Sequence, residues 1–384
     1  MLFKQNPQDI LCPHFDVCSG CIINQSVDQL ALFQEVKTYF KHKDVHNLHL
    51  ITGPSCGWRC RAKLVVQGTA NHPKIGLYKE HSHEAVDIPF CRVHHPVINS
   101  VVLQVKAFIQ SEKIEPYNEK TGKGLLRYVQ LVIERSSNKI QLTFVLNCKS
   151  EPNRERWVIK SDDVHSVWLN CNTARTNTIF GSDWEHVDGP SLIWETLGGV
   201  NCCFHPASFA QANLNLFDKM LGSIEKKVTE NSRVAEFYAG VGVIGLSVAR
   251  KSEWVKCCEI TKEAQLCFET ARAKMSAEDA EKISFQSGLA AERLDLLVGA
   301  DVVIVDPPRK GLDKPVLEAL FKADEVKTLI YISCGWKAFQ RDCDALLENG
   351  WVLDCVEPYL FFPGSNHIEL LAVFKKTKGQ KGQA

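Results

Sequence analysis

The chain has 384 residues, enough for two or three domains that each bury a core, and 45% of them are hydrophobic. Lys and Arg (45) balance Asp and Glu (45), which excludes the global basic field of a non-specific nucleic-acid binder. No stretch approaches the about 18 consecutive apolar residues of a membrane span, and the first residues carry no apolar core of signal-peptide length, so a cytoplasmic protein is expected. In that reducing compartment 16 cysteines do not make a disulfide framework, and those with informative spacing are read as ligands or catalysts.

Cys12, Cys18 and Cys21 form C-x5-C-x2-C, and Cys91 in DIPFCRVHHP is the preferred fourth thiolate, with Cys56 and Cys60 as rivals. Four sulfurs suit zinc or an iron–sulfur cluster. Structural zinc sites usually use two C-x2-C knuckles and only one is present, so a [4Fe–4S] cluster is preferred. The three-cysteine spacing is wider than that of radical enzymes. VDQLALFQEVKTYF, residues 27–40, carries apolar residues near helical spacing. From about 53 to 200, CRAKLVVQG, KIGLYK, LRYVQLVIE and KIQLTFVLN read as short strands around one helix, VINSVVLQVKAFIQ, which together indicate an α+β region. Residues 41–139 hold 15 Lys/Arg against 8 Asp/Glu and 8 of the 13 histidines. That local bias is weak, and a well-solvated surface explains it equally well.

After about residue 204, strands and helices alternate: SRVAEFYAG with VGVIGLSVARK, VKCCEI with TKEAQLCFETARAKM, DVVIVDPP with KPVLEALFK, TLIYISCG with AFQRDCDALLENG. Near-continuous apolar strands joined by helices predict a parallel, doubly wound α/β sheet. The polar residues 377–384 are expected to fray.

Gly240, Gly242 and Gly245 spell G-x-G-x-x-G between a strand and a helix, and Glu259 stands nineteen residues beyond the first. Such a turn lets a nucleoside cofactor approach the backbone, while an acidic residue on the next strand accepts hydrogen bonds from ribose hydroxyls. Glu236, read at the tip of the first strand, suits the charged aminoacid end of S-adenosylmethionine and would repel a pyrophosphate. Asp306-Pro307-Pro308 ends another strand, but Arg309 stands where enzymes that methylate amino nitrogens place an aromatic residue. One strand further on, Cys334 ends LIYISCGW, where its thiol would open into the same crevice. A pyrimidine C5 is too weak a nucleophile to take a methyl group until a thiolate adds at C6. Glu369 in NHIELLAVF, at the start of the last strand, is the expected base for the C5 proton. The earlier strand end, VDPPRKG, has no cysteine, which favours uracil over cytosine. Tyr238 is grouped with the cofactor contacts and Phe209 lies near base or cofactor, although ordinary core packing is the commoner fate of such aromatics. The remaining cysteines, including Cys202, Cys203, Cys257 and Cys258, are read as filler.

The cysteine cluster, GWRCRAKLVV, PASFAQAN, EFYAGVGVIGLSVA, VDPPRKG, ISCG and NHIE, in this order, resemble the RNA uracil-C5 methyltransferases that use S-adenosylmethionine and carry an iron–sulfur cluster. The resemblance implies a cluster on Cys12, Cys18, Cys21 and Cys91. It implies cofactor contacts from Gln211, the turn beginning at Gly240, Glu259 and Asp306. Cys334 becomes the nucleophile and Glu369 the base. The stretch IEPYNEKTGKGLLRYVQLVIE is most similar to the short bacterial branch acting on 23S ribosomal RNA (uracil-747), and the N-terminal β-barrel extension of some members is expected to be lacking. Three positions depart from the family pattern. Gly335 stands where Asn is usual, Gly364 and Ser365 replace His and Thr, and FQSGLAAE lacks the acidic or amide residue often found near the adenine.

The expected organisation is a cluster-binding segment (1–45, fourth ligand from 91), a central RNA-binding α+β domain (46–203), a Rossmann-like methyltransferase domain (204–376) and a flexible tail (377–384). The expected reaction is methylation of a flipped uridine by a monomer, with 23S rRNA as partner. Rival readings are a tRNA uracil-C5 or RNA cytosine-C5 methyltransferase and, in another class, a non-catalytic RNA-binding or ribosome assembly factor.

Overall fold

The structure, a computed structural model, describes residues 9–377, so the expected tail lies, apart from Thr377, outside the described residues. Among the described residues no helix is long and apolar enough to cross a membrane.

The chain enters through the cysteine segment and helix α1 (Ala31–Lys41), then builds a seven-stranded sheet from β1 (Arg61–Gly68), β2 (Pro73–Tyr78), β3 (Ala85–Asp87), β4 (Leu126–Glu134), β5 (Lys139–Leu146), β6 (Val164–Cys171) and β7 (Asp183–Asp188). Its order is β3-β2-β1-β4-β5-β6-β7, antiparallel except for the parallel β5–β6 pair. All nine residues of β4 are buried, as expected for a central strand rich in Leu, Val and Ile. Helix α2 (Pro96–Ser111) covers one face with Ile98, Val101, Val102, Val105 and Ile109, and Pro96 stands in its first turn, where no backbone N–H is lost.

A hairpin, β8 (Ile193–Leu197) and β9 (Val200–Phe204), leads into the second half. The expected domain boundary at 203 falls on β9, whose Cys202, Cys203 and Phe204 are buried in a core shared with residues of both large sheets. Beyond helix α3 (Leu214–Lys227), strands β10 (Ser232–Phe237), β11 (Ser252–Glu259), β12 (Ile283–Ser287), β13 (Val302–Val305) and β14 (Thr328–Ser333) alternate with α4 (Val243–Val248), α5 (Lys262–Arg272), α6 (Ala277–Lys282), α7 (Lys314–Lys322) and α8 (Trp336–Glu348). The last two strands are β15 (Trp351–Tyr359) and β16 (Glu369–Lys376), and the sheet order is β12-β11-β10-β13-β14-β16-β15.

The sheet is therefore doubly wound, but it is not wholly parallel. Strands β10 to β14 are parallel, whereas β16 runs antiparallel to both β14 and β15. No helix connects β15 to β16; residues 360–368 turn the chain straight back, and β16 inserts between β15 and β14. This reversal has a chemical consequence. The first residues of an antiparallel strand lie at the edge where its parallel neighbours end, and Leu370 pairs with Ser333. In an all-parallel sheet Glu369 would stand at the opposite edge from Cys334.

Helix α1 packs on this second sheet: Phe33, Val36 and Phe40 share a core with Trp336, Phe339 and Phe374, each contributing about 1.5–3 kcal/mol by burial. Trp336 Nε1 donates to Glu35 (2.8 Å) and Tyr39 donates to Asp344 (2.8 Å). Hydrogen bonds also tie the first sheet to the segment that leads into the second half. Arg61 and Gln130 both donate to the Pro206 carbonyl (2.7 and 2.9 Å), and Cys60 N donates to the Ala212 carbonyl (2.7 Å).

Candidate active site

At the point where the strand order reverses between β10 and β13, the carboxyl ends of the parallel strands open onto a crevice of about 580 Å³. The glycine turn forms one wall. Gly240 has φ +55° and a Cα facing open space, so a ligand can meet the main chain there. Gly242, φ +78°, begins α4, and a Cβ on it would lie 2.5 Å from the Phe268 ring. Gly245 lets α4 approach the sheet, since a Cβ would stand 2.5 Å from both Cys257 Sγ and a Glu236 oxygen. Glu259, ending β11, lines the crevice and accepts from Gly240 N (3.2 Å) and from both the N–H and hydroxyl of Thr261 (3.1 and 2.8 Å).

Glu236 is not where the sequence reading put it. It is 1% exposed, lies beneath the turn rather than along the crevice, and accepts from Gly245 N (2.9 Å) and the Cys257 thiol (3.1 Å). Its position one residue before the end of β10 directs the side chain under α4 instead of toward the strand tip. Burial pushes the carboxyl up to about 8 against those two hydrogen bonds. Tyr238 does line the crevice. Its backbone is left-handed (φ +60°), and its hydroxyl donates to Asp313 (3.2 Å) while accepting from Asp313 N (3.3 Å).

Gln211, Asp306, Cys334 and Glu369 line the same crevice. Gln211 is carried by a segment fixed at Pro206 and Ala212 and closed by Asn213, which caps α3 by accepting from Leu216 N (3.2 Å) and donates to the Phe361 carbonyl (3.1 Å). Phe209 is 71% exposed at the rim, so the core-packing reading fails for it. An asparagine just before a helical pattern is a capping signal that sequence reasoning passed over. It also passed over Asp313 and Phe362, and gave Arg309 no role, although all three line the crevice.

The electrostatics are those of acids crowded out of water. Burial pushes Asp306 up to about 7. Burial, and then the charge of Asp306, push Glu369 up to about 8, with Arg309 opposing. Burial, then Glu369 and Asp306, push the Cys334 thiol up to about 11, again opposed by Arg309. The site therefore holds protons near neutral pH and disfavours accumulating negative charges side by side.

A second cavity, about 150 Å³, lies against the first sheet and is lined by Cys12, Cys18, Cys21 and Cys91 together with Arg59. The sulfurs sense one another: burial, then Cys91, Cys12 and Cys18, push Cys21 up to about 12. Main-chain N–H groups of His14 and Gly20 donate to Cys12 and Cys18 (3.4 and 3.3 Å). The rivals point elsewhere. Cys56 donates to the Ile10 carbonyl (3.8 Å), and Cys60 is buried against the Trp58 carbonyl (3.6 Å). Among the described residues no three His, Cys, Asp or Glu side chains converge tightly enough to share one metal ion.

The model of the tRNA (uracil-5-)-methyltransferase family matches residues 200–377, which contain the whole second sheet. An RNA methyltransferase of Protochlamydia amoebophila is 46% identical across 98% of this chain and 100% of its own length. Another RNA methyltransferase, from Geobacter sulfurreducens, is 31% identical across 95% of this chain and 77% of its own. In fold, the chain is similar to the tRNA (uracil-54, C5)-methyltransferase of Pyrococcus abyssi, solved with S-adenosyl-L-homocysteine. The TM-score is 0.76 and the identity 24%, over 93% of this chain and 86% of that one. By this sequence kinship and by its Rossmann-like sheet, the chain belongs to the family of S-adenosylmethionine-dependent RNA (uracil-5)-methyltransferases.

Proposed function

We propose that the chain methylates C5 of one uridine in an RNA through a covalent bond from Cys334 to C6. The observation that carries this reading is the convergence, on one crevice, of a thiol and a carboxyl from adjacent antiparallel strand ends with the glycine turn and Glu259. S-adenosylmethionine, when bound, would supply an electrophilic methyl group and keep the electron pair of the broken carbon–sulfur bond on its own sulfur. Gly240, Glu259, Gln211, Tyr238 and Asp306, which line the crevice, would hold it there. Cys334 gives up its proton to solvent in the open crevice and its sulfur bonds to C6, which moves electron density onto C5 and O4. C5 then takes the methyl. Formation of the neutral thioether removes one negative charge from beside Glu369, which eases ionisation of that carboxyl. Glu369 takes the proton from C5, the C5–C6 double bond re-forms, and the sulfur leaves as thiolate. Arg309, the cation acting on both Cys334 and Glu369, balances the charge through these steps. Phe209, exposed at the rim, offers a face on which an unstacked base can rest.

The substrate we propose is 23S ribosomal RNA, on the likeness of residues 114–134 to the branch that acts there. A tRNA substrate is the second reading, favoured by the description of the matching family model. Incubation with 5-fluorouridine-substituted fragments of each RNA decides between them. Fluorine cannot leave C5 as a proton does, so the true substrate accumulates as a protein–RNA adduct. Absence of any adduct with cofactor bound would support a non-catalytic RNA-binding role instead.

The residues of the second cavity fit a [4Fe–4S] cluster. Four thiols line one cavity, and four thiolates are the ligand set that a four-iron cluster takes. Gly364 keeps the surroundings open: a Cβ on it would stand 2.9 Å from the Cys21 sulfur. Cys12, Cys18, Cys21 and Cys91 would hold the cluster, which supplies a constrained, redox-capable centre; no step of the methylation uses it.

A further inference from the structure

The segment between β15 and β16 touches both cavities. On one side it meets the thiols. Ile22 N and Ile23 N both donate to the Gly364 carbonyl (2.8 and 3.1 Å). Gly364 itself is left-handed (φ +91°), and a Cβ there would lie 2.9 Å from Cys21 Sγ and 2.7 Å from Ile10. On the other side Phe362 lines the methylation crevice, while its ring stands edge-on to Trp58 (centroids 5.8 Å, 78°) with the Arg59 guanidinium 5.7 Å away. Arg59 lines the thiol cavity, and its charge acts on Cys21 and Cys91. Two further ties are from Leu32 N to Asn366 (3.1 Å) and from Asn213 to the Phe361 carbonyl (3.1 Å). Glu369 follows five residues after Gly364.

We propose that residues 361–366 form a strap through which the ordering of the cysteine segment around its occupant sets the position of Glu369 and of the crevice wall at Phe362. The idea rests on the cluster reading above and adds a role for it. The Ile22 and Ile23 hydrogen bonds hold the 18–23 turn against Gly364, and an occupant bound by Cys18 and Cys21 on that same turn adds a second restraint. Once that turn is fixed, Gly364 is fixed with it, and so few residues separate Gly364 from Glu369 that little slack remains. Gly364 and Phe362 are thus positioning residues, acting through Glu369 and the crevice wall. By linkage, what is felt at Glu369 from the thiols is felt at the thiols from Glu369.

The test compares the full chain loaded with iron and sulfide against the same protein stripped by a chelator. It reads amide hydrogen exchange in peptides spanning 360–370 and the pH dependence of adduct formation on 5-fluorouridine RNA. Loading is expected to slow exchange at 362–369 by about tenfold or more and to move the pH midpoint of trapping. Gly364→Ala, which keeps all four thiols, Cys334 and Glu369, should shift the visible spectrum of the loaded centre and speed exchange at 366–369 together. Iron uptake that alters exchange only in 9–24 and 56–60, with an unmoved pH midpoint, overturns the strap and leaves the cluster standing. Failure to take up iron overturns both.

Discussion

Gly335 lies directly against the main chain of Arg309: a Cβ added to it would stand 2.5 Å from the Arg309 carbonyl oxygen and 3.1 Å from its Cα. The backbone there is extended (φ −126°), so the position requires glycine for closeness and not for conformation. The loop after β14 meets the loop after β13 with no side chain between them, and that contact sets Cys334 beside Asp306. An asparagine at this position would have to part the two loops. Gly335→Asn should therefore keep the fold and slow adduct formation with 5-fluorouridine RNA by about 10–100-fold, measured in a single turnover.

Glu369→Gln should stop the reaction after methyl transfer. With no carboxylate to take the C5 proton, labelled methyl should be found on RNA still bonded to protein, and turnover should fall by about 10²–10⁴-fold. Removing one acid should also lower the pH at which Cys334 reacts with an alkylating agent, because Glu369 is one of the charges holding that thiol up. Free methylated RNA released at the normal rate would assign the proton to another group.

Glu259→Ala removes the acceptor that faces the crevice and the brace on Gly240 and Thr261. Affinity for S-adenosylmethionine, read by calorimetry, should fall by about 10–100-fold.

Glu236 makes a prediction about stability. A carboxyl at about 8 in the folded chain and about 4.5 unfolded binds more protons when folded, so its favourable contribution is complete below pH 4.5 and is lost as pH rises through 8. The full span amounts to at most about 5 kcal/mol. Glu236→Gln, which keeps an acceptor for Gly245 N, should unfold at the same or lower denaturant than wild type at pH 5 and at higher denaturant at pH 8.5. A difference independent of pH would show that the carboxyl ionises freely beneath the turn.

For the second cavity, Cys21→Ser should abolish a broad absorbance near about 400 nm, while Cys56→Ser, altering a thiol turned toward the Asp9 and Ile10 carbonyls, should leave it intact. Stoichiometric zinc in a colourless protein would refute the cluster alone.

Much of this architecture was legible in the sequence where local chemistry is strong. The glycine turn, the apolar parallel strands and the strand ends carrying Asp306 and Cys334 announce themselves by spacing. What depends on distant partners did not. Nothing in ELLAVFKK tells that it enters the sheet antiparallel, yet only that direction brings Glu369 to the thiol. Glu236 was misread because one residue along a strand exchanges crevice for core, and periodicity does not say where a strand ends. The fit of Gly335 to Arg309 and of Gly364 to Cys21 joins residues far apart in the chain. Such close approaches are visible only in three dimensions.

The most direct test is intact-mass analysis of the wild-type chain and Cys334→Ala after incubation with S-adenosylmethionine and a 5-fluorouridine RNA fragment. Wild type should gain the mass of one methylated RNA, mapped by digestion to Cys334, while the alanine variant gains nothing and leaves ordinary RNA unmethylated. An alanine variant that methylates uridine at the wild-type rate would contradict the account.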